Sequence, residues 1–138
     1  MRPRHHNDMS DRLKKRKGFT LVEIMIVVLI IGILLAIAVP NFIKARQNSR
    51  TESVIGNLKQ ISNAKAQWAM DMGKSTGDVP TSLDLAPTYM ARWPIGPIGV
   101  ATDYSPNAID TDPTFKGQTL SAFQDPATKD AAVASAGL

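Results

Sequence analysis

The sequence predicts an α+β chain. One long N-terminal helix, membrane-spanning in its first half and amphipathic in its second, is followed by a small head with a short β-hairpin and proline-rich loops. Three observations lead there. Residues 24–39 hold no polar side chain. Apolar residues then recur at helical spacing as far as residue 72. Beyond residue 73 the composition changes, with seven of the nine prolines at 80, 87, 94, 97, 106, 113 and 126. A chain of 138 residues holds one small domain and cannot bury a large core.

The first 18 residues are basic: Arg2, Arg4, Arg12, Lys14, Lys15, Arg16 and Lys17 against Asp8 and Asp11, a net +5. The whole chain carries +4, so the remainder carries −1. The high isoelectric point therefore belongs to this opening segment, and no basic groove for nucleic acid is expected. Cysteine is absent, which excludes disulfides, thiolate metal sites and a cysteine nucleophile. His5 and His6 are the only histidines, side by side in the same segment, so a histidine triad and an HExxH zinc site are excluded. No phosphate-cradling glycine loop or paired-carboxylate motif stands out, and no enzyme is expected.

Residues 19–39 read FTLVEIMIVVLIIGILLAIAV. As a helix they span roughly 31 Å, the thickness of a bilayer core. Sixteen positions are Ile, Leu, Val, Met or Phe. They favour insertion by roughly 5–10 kcal/mol, against about 3 kcal/mol for one mid-membrane acid. The acid, Glu23, sits near one end, where it costs less. Seven Lys/Arg precede the segment and four (Lys44, Arg46, Arg50, Lys59) lie in the 20 residues after it. That asymmetry places the N-terminus in the cytoplasm and the rest across the inner membrane in a single pass. A buried core helix is the plain alternative, but the rest of the chain is too small to bury so long a run. A secretory signal cleaved after Ala36-Ile37-Ala38 is a second alternative, which Glu23 inside the apolar region disfavours.

The run Lys17-Gly18-Phe19-Thr20-Leu21-Val22-Glu23, between a basic leader and an uninterrupted apolar stretch, resembles the class III signal of type IV pilins and type II secretion pseudopilins. The resemblance implies a type IV pilin-like fold. It also implies a cleaved leader, residues 1–18, cut by a prepilin peptidase between Gly18 and Phe19, with N-methylation of Phe19. It further implies that Glu23 pairs with the Phe19 amine of a neighbouring subunit during assembly. An intramembrane acid calls for such a partner, and a dry charge pair fixes register because each unmatched charge is penalised.

Residues 19–40 are thus read as the transmembrane half of the helix and 41–72 as its amphipathic half. Pro40 removes a helical hydrogen bond and, with Gly32, marks a bend within one continuing helix; a helix end at the membrane face is the alternative. Val54, Leu58, Ile61, Lys65, Trp68 and Met72 form one face, widened by Ile55 and Ala69, with Lys65 laying its stem along the stripe and its amine in water. Gly73 closes the helix. Counted from Phe19 the helix runs about 54 residues, roughly 80 Å, so its first half must pack on lipid and then on other copies.

In the head, residues 73–138, four Lys/Arg face seven Asp, a net −3. Thr81-Ser82-Leu83-Asp84 reads as a capping box opening a short helix. Val100–Tyr104 and Pro113–Lys116 read as two short strands. Tyr89, Trp93, Tyr104 and Phe115 are the large groups expected to cover the helix stripe. The small-residue tail after Pro126 is expected to be disordered. The run GNLKQISNAKAQWAMDMGKSTGDVPTSLDLAP resembles short, secretion-protein-G-like major pseudopilins. Their two cysteines are missing here, in WPIGPIGVATDY and PTFKGQTL, so strand pairing must rest on packing. Asp103, Asp110 and Asp112 share one loop and are the calcium candidates the resemblance implies, with solvated turn aspartates as the default; otherwise no cofactor is expected.

The resemblance implies the major subunit of a type II secretion pseudopilus. Its partners would be itself, a prepilin peptidase, an inner-membrane assembly platform, minor pseudopilins and membrane lipid, without nucleic acid. A type IV pilus major pilin, serving adhesion, motility or DNA uptake, is the alternative within the family. A membrane-tethered secreted binding domain that never polymerises is the alternative outside it.

Overall fold

The computed structural model describes residues 18–138, so the basic leader up to Lys17, His5 and His6 included, lies outside the described residues. The chain divides after Pro40 into two units, and the first helix, α1 (Leu21–Met72), contributes to both.

In the first unit every described residue, Gly18 to Pro40, is exposed. Helix α1 is uninterrupted at Gly32 and continues through Pro40. Among the described residues it is the one helix long and apolar enough to cross a membrane.

The second unit builds its core on α1. Thr51, Val54, Ile55, Leu58, Ile61, Ala64, Lys65 and Trp68 are buried at spacings of three and four, a single helical face. Met72, expected to end that stripe, is 58% exposed, because the head covers the stripe only as far as Trp68. Gly73, at φ 61°, closes α1, and over it the Lys74 N–H donates to Ala69 O at 2.9 Å. The Lys74 ammonium then lies over the Trp68 ring, 5.5 Å from its centroid.

Helix α2 (Ser82–Leu85) starts at the expected capping box. The Asp84 N–H donates to Thr81 Oγ1 at 3.3 Å and the Thr81 N–H to Asp84 Oδ2 at 2.7 Å. Its Leu85 is fully buried. A strand was expected from Val100, but a 3-10 turn, Ala101–Asp103, occupies that segment. There the Asp103 carboxylate accepts the Val100 N–H at 2.9 Å, and such local side-chain-to-backbone bonds compete with strand pairing.

Three two-residue strands follow, β1 (Tyr104–Ser105), β2 (Thr114–Phe115) and β3 (Gln118–Thr119), in the antiparallel order β1-β2-β3. Strand β3 was not foreseen. The signal for it is Lys116-Gly117: both residues have positive φ (47° and 79°), the pattern of a tight two-residue hairpin turn. Tyr104 pairs with Phe115 across β1 and β2, their rings 4.8 Å apart, and both side chains are buried. This aromatic pair holds strands that no disulfide joins. The Tyr104 hydroxyl accepts from Asn57 Nδ2 at 2.8 Å, tying the sheet to α1.

The tail is ordered, contrary to expectation. Helix α3 (Leu120–Gln124), capped by Thr119 Oγ1, buries Phe123 completely. Helix α4 (Lys129–Ala136) buries Ala132 and Ala136, and Leu138 joins the core beyond the left-handed Gly137. The small residues that suggested disorder stand one turn apart on α4, where an alanine side chain lets the helix approach the core closely. Of the four large groups expected over the stripe, Tyr104 and Phe115 are fully in the core and Tyr89 and Trp93 only partly, while Phe123, Leu85 and Leu138 complete the cover.

Candidate functional site

Two places carry the chemistry that the sequence singled out: the start of α1 and the loop between β1 and β2.

Gly18, Phe19 and Thr20 precede α1 and have no regular structure, so the Gly18–Phe19 bond lies outside helical hydrogen bonding. A Cβ added at Gly18 would meet nothing within 4 Å. Among the described residues, nothing in the surrounding packing calls for glycine there. Phe19 is 78% exposed. Thr20, which the sequence reading passed over, caps the helix: its Oγ1 accepts the Glu23 N–H at 3.2 Å, and its carbonyl accepts the Ile24 N–H at 3.3 Å. The signal was Thr20-x-x-Glu23, a capping-box pattern. Glu23 lies in the first turn, where the positive end of the helix dipole favours an acid, and its side chain is exposed.

At the other end of the molecule's chemistry is Lys65. Its amine was expected in water, but the residue is only 3% exposed. Its Nζ donates to the backbone carbonyls of Pro106 (2.9 Å), Ala108 (2.6 Å) and Thr111 (2.5 Å). Three acceptors need three N–H groups, which only the ammonium form supplies. Burial pushes this group below the ordinary lysine pKa, and the nearby Asp112 and Asp110 carboxylates pull it back up. The sequence placed Lys65 correctly on the apolar stripe; what it could not show was the ring of carbonyls above it.

That ring also bears on calcium. Asp103 is engaged by Val100, and Asp110 Oδ1 accepts the Gly77 N–H at 3.2 Å. The Asp112 carbonyl accepts from Asn107 Nδ2 at 2.8 Å, with Asn107 itself at φ 56°. Among the described residues no three His, Cys, Asp or Glu side chains gather as metal ligands. The carbonyls of Pro106, Ala108 and Thr111 in this loop already face an ammonium.

Residues 13–39 match the family described as the prokaryotic N-terminal methylation motif, a stretch that contains Gly18, Phe19, Glu23 and Gly32. Over 79 residues, 57% of this chain, it is 41% identical to the type IV major pilin protein PilA of Myxococcus xanthus, covering 36% of that protein. Over 57 residues, 41% of this chain, it is 33% identical to the type II secretion system core protein G of Escherichia coli, covering 39% of it. Over 63 residues, 46% of this chain, it is 43% identical to the type IV major fimbrial protein FimA of Dichelobacter nodosus, covering 40% of it. The matched stretches thus span about two fifths of these relatives' length. No solved structure matches the chain at a significant level.

Proposed function

Because the chain belongs to the type IV pilin and type II secretion pseudopilin family, we propose that it is a structural subunit of a helical filament in a bacterial envelope. One observation carries the reading. Among the described residues, the first unit presents an uncovered apolar helix, headed by Gly18-Phe19 and a first-turn acid. Such a surface is stable only in lipid or against other copies of itself.

The proposed sequence of events follows from that surface. The precursor sits in the inner membrane with its leader in the cytoplasm. A prepilin peptidase cuts between Gly18 and Phe19 and methylates the new Phe19 amine. On entering the filament, that amine meets Glu23 of a neighbour, so that neither charge is buried alone. An assembly platform, minor pseudopilins and lipid are the further partners. The β1–β2 loop is held by Lys65 and needs no calcium ion. The activity is polymerisation, with no catalytic residue of its own.

The finer assignment is to a type II secretion pseudopilus, on the likeness of residues 56–87 to protein G-type heads. A specific observation favours the second reading, a surface pilus: the 79-residue match to a major pilin reaches well past the methylation motif. The test has two steps. Imaging filaments sheared from cells that express the tagged chain, with the intact mass of the subunit, should show polymers of a chain that lacks 18 residues and carries one methyl group. Gly18→Trp should leave the precursor uncut, and a mature start at Val39 would refute the processing scheme. Deleting the gene then separates the readings: loss of protein export marks a pseudopilus, and loss of surface filaments with export intact marks a pilus.

A further inference from the structure

We propose that the second unit carries its own head-to-tail contact, in which a basic, apolar groove at residues 42–53 of one copy receives the acidic, apolar turn at residues 78–84 of the next. The proposal rests on the filament reading and names the surfaces that would join successive copies outside the membrane.

The groove is lined by Phe42, Ala45, Arg46, Ser49 and Arg50 of α1 and by Pro97. Its lining joins apolar Phe42, Ala45 and Pro97 to two guanidiniums, the groups best suited to paired recognition of carboxylates. Phe42 is largely exposed. The turn has the complementary make-up. Val79 is 62% and Leu83 85% exposed, and Asp78 and Asp84 flank them. Large apolar side chains held out between two acids, Leu83 on the short capped helix α2 and Val79 just before it, gain nothing from their own fold.

The charge of the whole unit follows the same division. Residues 41–72 hold five Lys/Arg against Glu52 and Asp71, and residues 73–138 hold four Lys/Arg against seven Asp. The two surfaces also lie far apart along α1. The turn is tied to the level of Lys65 on α1: the Ile109 N–H donates to Asp78 O at 3.0 Å, beside Ala108, whose carbonyl accepts from Lys65. From Arg46 to Lys65 is 19 residues, about 28 Å of helix at 1.5 Å per residue.

Two unlike patches at different levels along α1 make a heterologous interface, and such an interface leaves one patch of each kind free after every addition. An antiparallel pair could satisfy both patches and close. Copies anchored through the same membrane helix point the same way, so that closure is excluded. Parallel copies meet groove to turn only when one is shifted by about 28 Å along the axis. Neighbours at one level in a bilayer cannot make the contact; copies stacked in a filament can.

The chain has no cysteine, which makes the test direct. Ser49→Cys and Leu83→Cys are introduced together in the full chain, filaments are sheared from cells and mildly oxidised, and the products are run without reductant. A ladder of dimers, trimers and higher multimers is expected from the double variant and none from either single variant. Ala45→Cys with Val79→Cys is the second pair, should the first impair assembly. Filaments that yield only monomers from both pairs overturn this contact while leaving the filament reading intact. A product that stops at dimers overturns the head-to-tail geometry. No filaments from the unmodified chain would instead overturn the premise. Separately, R46E/R50E should lower filament yield at least tenfold at an unchanged level of processed subunit. Normal filaments with weakened membrane retention would assign the groove to acidic lipid headgroups and overturn the proposal.

Discussion

Replacing Lys65 with methionine keeps most of the volume and the apolar stem and removes three N–H donors. In the native fold those donors meet the carbonyls of Pro106, Ala108 and Thr111 at 2.5–2.9 Å. Each carbonyl left buried without a partner costs about 1–3 kcal/mol. Asp110, Thr111 and Asp112 lie at the surface, so water can reach part of the loop, and the three costs do not add in full. Removing the buried charge itself recovers some desolvation. The net expectation is a loss of about 2–4 kcal/mol, concentrated in the segment between β1 and β2. For a unit of this size that lowers Tm by roughly 10–20 °C. The assay is thermal unfolding of the detergent-solubilised chain by tryptophan fluorescence, with amide hydrogen exchange across residues 106–112. Early exchange there, ahead of α1, is the expected signature. A K65M protein as stable as the parent, with unchanged protection of residues 106–112, would refute the argument that the ammonium organises this loop.

Three further outcomes are expected. Glu23→Ala should abolish filaments while leaving insertion intact, because it makes the segment more apolar yet leaves the Phe19 amine unpaired at about 3–5 kcal/mol per subunit; normal sheared-filament yield would reduce Glu23 to a tolerated acid. Phe123→Ala should destabilise the second unit by about 3–5 kcal/mol, since the ring is fully buried, and a chemical denaturation midpoint within error of the parent would show that α3 adds nothing to the core. The Asp84 carboxyl is held below its ordinary value of 3.8 by hydrogen bonds from the Thr81 side chain and backbone. Its contribution is therefore fully present above 3.8 and fades as pH falls through the lower folded value; an NMR titration of Asp84 with its midpoint at or above 3.8 would contradict the capping box, and Thr81→Ala should move the midpoint upward.

Much of this protein is written in local pattern. An unbroken apolar run, a basic flank and the spacing Gly18-Phe19-x-x-x-Glu23 are properties of consecutive residues, and they mark a helix long and apolar enough to cross a membrane, within an N-terminal methylation motif, before any fold is known. The amphipathic face from Val54 to Trp68 is equally local, because a 3.6-residue period needs no knowledge of what covers it. The capping box at Thr81 is local too. What only the tertiary structure decided is how groups distant in sequence meet. A lysine on an apolar face reads as a side chain reaching for water, and nothing near residue 65 reports that the carbonyls of residues 106, 108 and 111 will converge on it. Strands of two residues are too short to show a period, so β3 was legible only through the turn before it and the start at Val100 was misread. The tail looked disordered because alanine and glycine carry little local signal. Their value lies in close approach, and that is decided by the surface they approach, here the core that Leu58, Phe115 and Phe123 complete.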